Sequence, residues 1–133
     1  PFMEYLRKRF VCKNQIKKGL NGVRKAIDHL NKKNCIALMI DQRVSEGEKI
    51  NFFDKPALTT TLPAQLSIKF DVDIVPVYIE RDSHNNFKIE FQKRINPKNF
   101  SNKSELTKEL NMTLEKMIIK NPNQWIWTHD RWK

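Results

Sequence analysis

Glycine is scarce, three residues in 133, so no Gly-rich loop that cradles phosphates can be built. Two cysteines, Cys12 and Cys35, are too few and too far apart for a disulfide framework or a thiolate zinc site, and such usage fits a reducing compartment. The three histidines, His29, His84 and His129, are isolated, and none is followed five positions later by an acidic residue. Neither GxSxG nor HExxH occurs. No apolar run approaches the ~20 residues that span a bilayer, and the basic start lacks the apolar stretch of a secretory signal. Internal repeats and low-complexity tracts are absent as well. Anionic charge is in deficit: 15 Asp and Glu face 25 Lys and Arg, a net charge of +10. Nucleic acid, an acidic protein or an anionic membrane surface would each suit that charge, and so would plain solvated faces.

What is present is enough apolar residue, 39% with 10% aromatic, to close a modest core and exclude disorder. The length fits one domain, 1–133. The chain opens on Pro1 rather than methionine, which reads as a piece of a longer protein. Phe2, Leu6 and Phe10 recur at helical spacing and predict an amphipathic helix over 1–10, with Pro1 in its first turn. Leu20, Val23, Ile27 and Leu30 predict a second helix ending near Lys32 to Asn34. The apolar run Cys35–Ile40 is too short for a helix and predicts a buried strand. A polar loop through Gly47 follows, and Phe52 and Phe53 fall in the loop beyond it. A third helix starts near Pro63 and buries Leu66, Ile68 and Phe70. Ile74–Ile79 predicts a second buried strand, and Phe87, Ile89 and Phe91 alternate as a third, antiparallel to it. Ser101 or Ser104 caps a long helix with the stripe Leu106, Leu110, Thr113, Leu114, Met117 and Ile118, which Asn121-Pro122 stops. The fold expected is α/β, a mixed sheet with a parallel βαβ core and an antiparallel extension, flanked by helices.

Parallel pairing of the first two strands would bring their carboxyl ends to one sheet edge, where open α/β sheets bind ligands. Asp41, Gln42 and Arg43 would meet Glu80 and Arg81 there. Two guanidinium forks beside carboxylates suit a phosphorylated or carboxylated substrate, and Asp41 would hold an arginine or a loop amide in place. An Asp41–Arg81 or Glu80–Arg43 pair that merely ties loops is the alternative. Phe52 and Phe53 suggest either an acyl-chain or membrane-facing surface, or a plug into the core. The densest local signal is the tail, with Trp125, Trp127 and Trp132 within eight residues beside His129 and Arg131. Such rings anchor a tail, stack bases or sit at a lipid–water interface. We expect Gln124–Lys133 to fold back, Trp125 and Trp127 packing, with His129 and Arg131 at a polar rim opposite an acid or a phosphate.

The ending PNQWIWTHDRWK resembles the C-terminal signature of the bacterial lipid A late acyltransferases, the lauroyl and myristoyl transferases of lipopolysaccharide synthesis. The block IALMIDQRVSEGEKINFFDKPALTTTLPAQLSIKFDVDIVPVYIER is similar to the same family's middle region, so the likeness runs from about Gly19 to Lys133. Asp54 stands where the family usually has glycine after its paired phenylalanines. The resemblance implies the C-terminal half of a glycerolipid-acyltransferase-like domain at the cytoplasmic face of the inner membrane. It implies an acyl carrier protein thioester as donor, an anionic lipid A precursor as acceptor, and an anionic membrane surface as partner. The family's His-x4-Asp/Glu base is expected upstream of Pro1, so no catalytic residue, cofactor or metal is expected within this chain and the isolated piece is expected inactive. Substrate-binding residues then include Asp41, Gln42, Arg43, Phe52, Phe53, Arg81, His129 and Arg131, and the resemblance adds Thr60 of the threonine-bearing loop. A relative that acylates another glycolipid or a phospholipid fits the same residues. A basic nucleic-acid-binding module is the competing class, against which no RRM, KH or helix-turn-helix pattern occurs.

Overall fold

The computed structural model describes residues 2–132; Pro1, expected in the first turn of the first helix, and Lys133 of the tail lie outside them. The chain divides into two units, residues 1–37 and 38–133.

In the first unit the two amphipathic patterns form α1 (Phe2–Phe10) and α2 (Leu20–Asn31), as their spacing predicts. Glu4 sits in the first turn of α1 and Arg7, Lys8 and Arg9 in the last, each where the helix dipole favours its charge. An i,i+4 bridge links Lys8 to Glu4 at 3.0 Å. Burial is slight: α1 buries no residue and α2 only Gly22 and Ala26.

The second unit is built around a hairpin where a loop is expected from the sequence. β1 (Glu48–Phe52) pairs antiparallel with β2 (Lys55–Thr59), from Glu48 opposite Thr59 to Phe52 opposite Lys55. The two-residue turn Phe53-Asp54 has φ of 49° and 59°, the doubly left-handed geometry whose twist matches a hairpin. Ile50 and Phe52 alternate inward with Ala57 and Thr59, so one face of the hairpin is core. Gly47 enters β1 so close to Thr59 that a Cβ would lie 2.6 Å from its carbonyl oxygen. Only glycine fits that approach.

α3 (Leu62–Phe70) begins with Pro63 in its first turn and ends at Asp71 in the left-handed conformation. It buries Leu66 as expected, whereas Ile68 is exposed and Phe70 half-buried. β3 (Val77–Arg81) and β4 (Phe87–Phe91) form the expected antiparallel hairpin, Val77 opposite Phe91 and Arg81 opposite Phe87. The burial expected of Ile74–Ile79 is not found: only Tyr78 is buried, because no described residue packs on one face of this two-stranded sheet. The pairing does not reach Ile74, which makes only an isolated bridge to Ile95. α4 (Lys103–Lys120) is capped by Asn102, between the two serines expected, whose side chain accepts from the Ser104 and Glu105 amides. Glu105 reaches back to the Ser101 amide at 2.7 Å, so donors on both sides of the cap are satisfied. α4 packs on β1 and α3 through Leu106, Leu110 and Ile118.

The parallel βαβ core is not found. Cys35–Ile40 forms no strand; Leu38 and Met39 are exposed, and the run holds the boundary between the units. A buried parallel strand needs a ladder partner, and among the described residues no strand pairs with this run. The fold is mixed α/β with two separate two-stranded antiparallel sheets.

Candidate functional site

The tail winds back across the second unit and gathers what the expected sheet edge does not. After α4, Asn121 donates to Glu80 Oε1, and the Gln124 amide grips the Arg81 backbone at two points, accepting from its N–H at 2.9 Å and donating to its carbonyl at 2.6 Å. Trp125 then packs on Phe52, ring centroids 5.9 Å apart. Trp132 closes the path, its ring on Phe52 and its Nε1–H donating to the Phe52 carbonyl at 2.9 Å. Phe52 is the centre of this cluster, wholly buried with Ala57 and Ile118 among Phe53, Leu114, Trp125 and Trp132. Its burial contributes roughly 1.5–3 kcal/mol.

Arg131 lies inside, fully buried, rather than at the expected rim. Its Nη1 donates to the Leu58 carbonyl at 2.5 Å, its Nη2 to Thr59 Oγ1 at 2.9 Å, and its guanidinium stacks 5.2 Å from the Phe52 ring centroid. The planar, weakly hydrated guanidinium can enter a core that supplies two acceptors and an aromatic face. Burial pushes the guanidinium pKa down, and the Asp41 carboxylate opposes that shift. Asn111, also buried, donates to the Asn51 carbonyl at 2.9 Å and to Thr59 Oγ1 at 3.4 Å. Thr59 is therefore the polar hub joining β2, α4 and the tail.

His129 is exposed, and its Nε2 accepts from the Arg43 amide at 3.1 Å, which puts the ring proton on Nδ1. This bond joins positions 86 apart in sequence and carries Arg43 to the tail. The Asp41–Arg43 segment is half-buried at Asp41 and Arg43 and exposed at Gln42. Asp41 Oδ1, Arg43 Nε and Arg131 Nε are buried side-chain atoms that find no partner in the protein. Arg131 is enclosed by the core, whereas Asp41 and Arg43 are half-buried with hydrogen-bonding capacity unspent, so a polar or anionic group can be received at Asp41–Arg43. With its Nε2 lone pair engaged, His129 is not arranged to take a proton from a substrate.

The remaining expected site residues are dispersed. Arg81 is exposed at the end of β3 and does not share a sheet edge with Arg43, because the parallel pairing that would align them is missing. Neither an Asp41–Arg81 nor a Glu80–Arg43 ion pair occurs among the described residues. Thr60 Oγ1 accepts from the Leu62 amide at 3.3 Å, a turn contact at the start of α3. Phe52 presents nothing to a lipid because it is core; Phe53 is half-buried and its amide donates to Glu115 Oε1 at 2.8 Å. Trp127 is 53% exposed but packs edge-on against Trp125, ring centroids 4.6 Å apart, while Trp125 and Trp132 pack on Phe52. Thr59, Asn111, Glu115 and Trp132 were missed as organising residues. The inward alternation of Ala57 and Thr59, read as a strand, would have flagged the first.

These features define a small mixed α/β protein with a charged surface organised by its C-terminal tail. Residues 4–133 match the sequence model of the bacterial lipid A biosynthesis acyltransferases, and the chain belongs to that family. That membership supports acyltransferase activity of the lipid A biosynthesis type. No curated protein matches the chain.

Proposed function

We propose that the protein serves an O-acyl transfer from an acyl carrier protein thioester to a hydroxyl of an anionic lipid A precursor, at the cytoplasmic face of the bacterial inner membrane. This chain's part is to bind and orient the substrates. The family match over residues 4–133 carries the reading. The unpartnered polar atoms of the half-buried Asp41 and Arg43 agree with it, since the precursor bears phosphates and the carrier protein is acidic. In such a transfer the acceptor oxygen attacks the thioester carbonyl, the carbon–sulfur bond breaks, and a base takes the hydroxyl proton. Here Arg43 binds an anionic group of the substrate, Arg131 and His129 fix the backbone around it, and Arg81 offers a second cation. The base is not one of the three histidines of this sequence.

The purified chain tests this in two assays. With acyl carrier thioester and lipid A precursor it should give no turnover above blank, because losing a general base forfeits about 10²–10⁴-fold in rate. It should still bind the precursor, weakened by salt and by Arg43→Ala. Turnover abolished by His129→Ala would make His129 catalytic and refute the division of labour. Failure to bind the precursor at low salt would refute the binding role.

A further inference from the structure

The apolar side chains of the β3–β4 hairpin have no part in the acyl transfer proposed above, which draws only on Arg81 of this hairpin. Val77 and Ile79 on β3 stand opposite Phe91 and Ile89 on β4, and Phe87 stands opposite Arg81. Alternation puts all of these side chains on one face. That face is bare: Val77 is 42% exposed, Ile79 57%, Phe87 67%, Ile89 57% and Phe91 74%. The opposite face is already held, with Tyr78 buried under Lys120, Glu90 bridged to Lys120 at 2.9 Å and Glu80 bonded to Asn121. The hairpin cannot roll over to hide its apolar side without breaking those contacts.

We infer that this face is the surface by which the protein lies on an anionic lipid bilayer, an inference that rests on the membrane association proposed above. Soluble monomers rarely leave a contiguous apolar patch of this extent uncovered. Charge complementarity chooses the occupant. The stripe ends in Arg81 at one end and reaches Lys93, two residues past Phe91, at the other, and neither forms an ion pair among the described residues. The carboxylates of the same region are spent: Glu90 on Lys120, Asp73 on Arg94 at 3.0 Å, and Asp82 on the His84 and Asn86 amides. Apolar side chains framed by free cations fit acyl chains below acidic headgroups. The cleft of this unit takes in Lys93 but none of Val77, Ile79, Phe87, Ile89 or Phe91, so the apolar side chains lie outside it.

Sedimentation with vesicles of phosphatidylcholine and phosphatidylglycerol, using the whole chain, tests the assignment. The protein should bind these vesicles and bind pure phosphatidylcholine far more weakly. Ile89→Glu with Phe91→Glu should lower binding by about tenfold or more, and Arg81→Ala with Lys93→Ala by a smaller factor that salt erases. Both pairs are exposed, and circular dichroism checks that the fold persists. On the unaltered protein, paramagnetic lipid should broaden the methyl signals of Ile79 and Ile89 ahead of those of Ile50 and Ile118. Vesicle binding that is unchanged by both double variants would overturn this surface while leaving membrane association standing. No vesicle binding at all would remove both. A wild type that self-associates, and is made monomeric by Ile89→Glu with no change in vesicle binding, would make the face a contact between copies and overturn the inference.

Discussion

Residues 1–37 and 38–133 divide the work of the chain unequally. The first segment holds ten Lys and Arg against two acidic residues, +8 of the net +10, and among its described residues buries only Gly22 and Ala26. Phe2, Met3, Tyr5, Phe10 and Leu20 are all more than half exposed there. The second segment is nearly neutral, +2, and owns the aromatic cluster, the buried arginine and the interlocking tail. Charge and core are thus separated along the sequence. The basic segment is suited to attract a partner, the second to hold a defined shape, and substitutions should read that difference directly.

The largest effect should come from Phe52→Ala. It empties the centre of the cluster, and a loss of about 3–5 kcal/mol is expected in urea unfolding. Arg131→Ala should follow at about 2–4 kcal/mol, because Thr59 Oγ1 and the Leu58 carbonyl lose a donor in a site water does not reach. Arg131→Lys should recover only part of this, since an ammonium cannot reproduce the fork or its stacking on Phe52. A cost below 1 kcal/mol for either alanine variant would dissolve the contrast between the units.

How much of this was visible in the sequence depends on the range of the forces involved. α1, α2, α3, α4 and the β3–β4 hairpin were legible because apolar spacing, Pro63 and the alternation of Phe87, Ile89 and Phe91 are local signals. The β1–β2 hairpin was not, because its turn places Phe53, a bulky residue, in the left-handed region where glycine or asparagine is expected. Pro56 within β2 also argues against a strand unless the strand lies at an edge, as it does in this two-stranded sheet. Cys35–Ile40 failed the other way: an apolar run signals burial, but a strand needs a partner that no local pattern reveals. Of the candidate site, the fold-back of the tail was foreseen and the depth of Arg131 was not. A lone arginine normally marks a rim, and only the acceptors at Leu58 and Thr59, some 72 residues away, make its burial tolerable.

Smaller effects sharpen the other side of the comparison. Phe2→Ala and Phe10→Ala should each change unfolding free energy by no more than about 0.5 kcal/mol, as expected of exposed positions. The smallest effect is one of pH. Hydrogen bonds from the Asn86 side chain and amide, and from the His84 amide, hold the Asp82 carboxyl below its usual 3.8. The carboxylate therefore adds stability above the ordinary value, and that stability is lost as pH falls through the lowered one. An NMR titration should find the Asp82 midpoint below 3.8, and Asp82→Asn should make the turn amides insensitive to acid.

The tail locks Asp41–Arg43 against the β1–β2 hairpin through Arg131, Trp132 and His129. Residue-resolved hydrogen exchange of the wild type and of Arg131→Ala tests it most directly. Slow exchange is expected at the Arg43 and Trp127 amides and at the Trp132 indole in the wild type. In Arg131→Ala these sites should speed up together while the amides of α1 and α2 stay as they were. Residues 124–132 of the wild type exchanging as fast as a free peptide would contradict it.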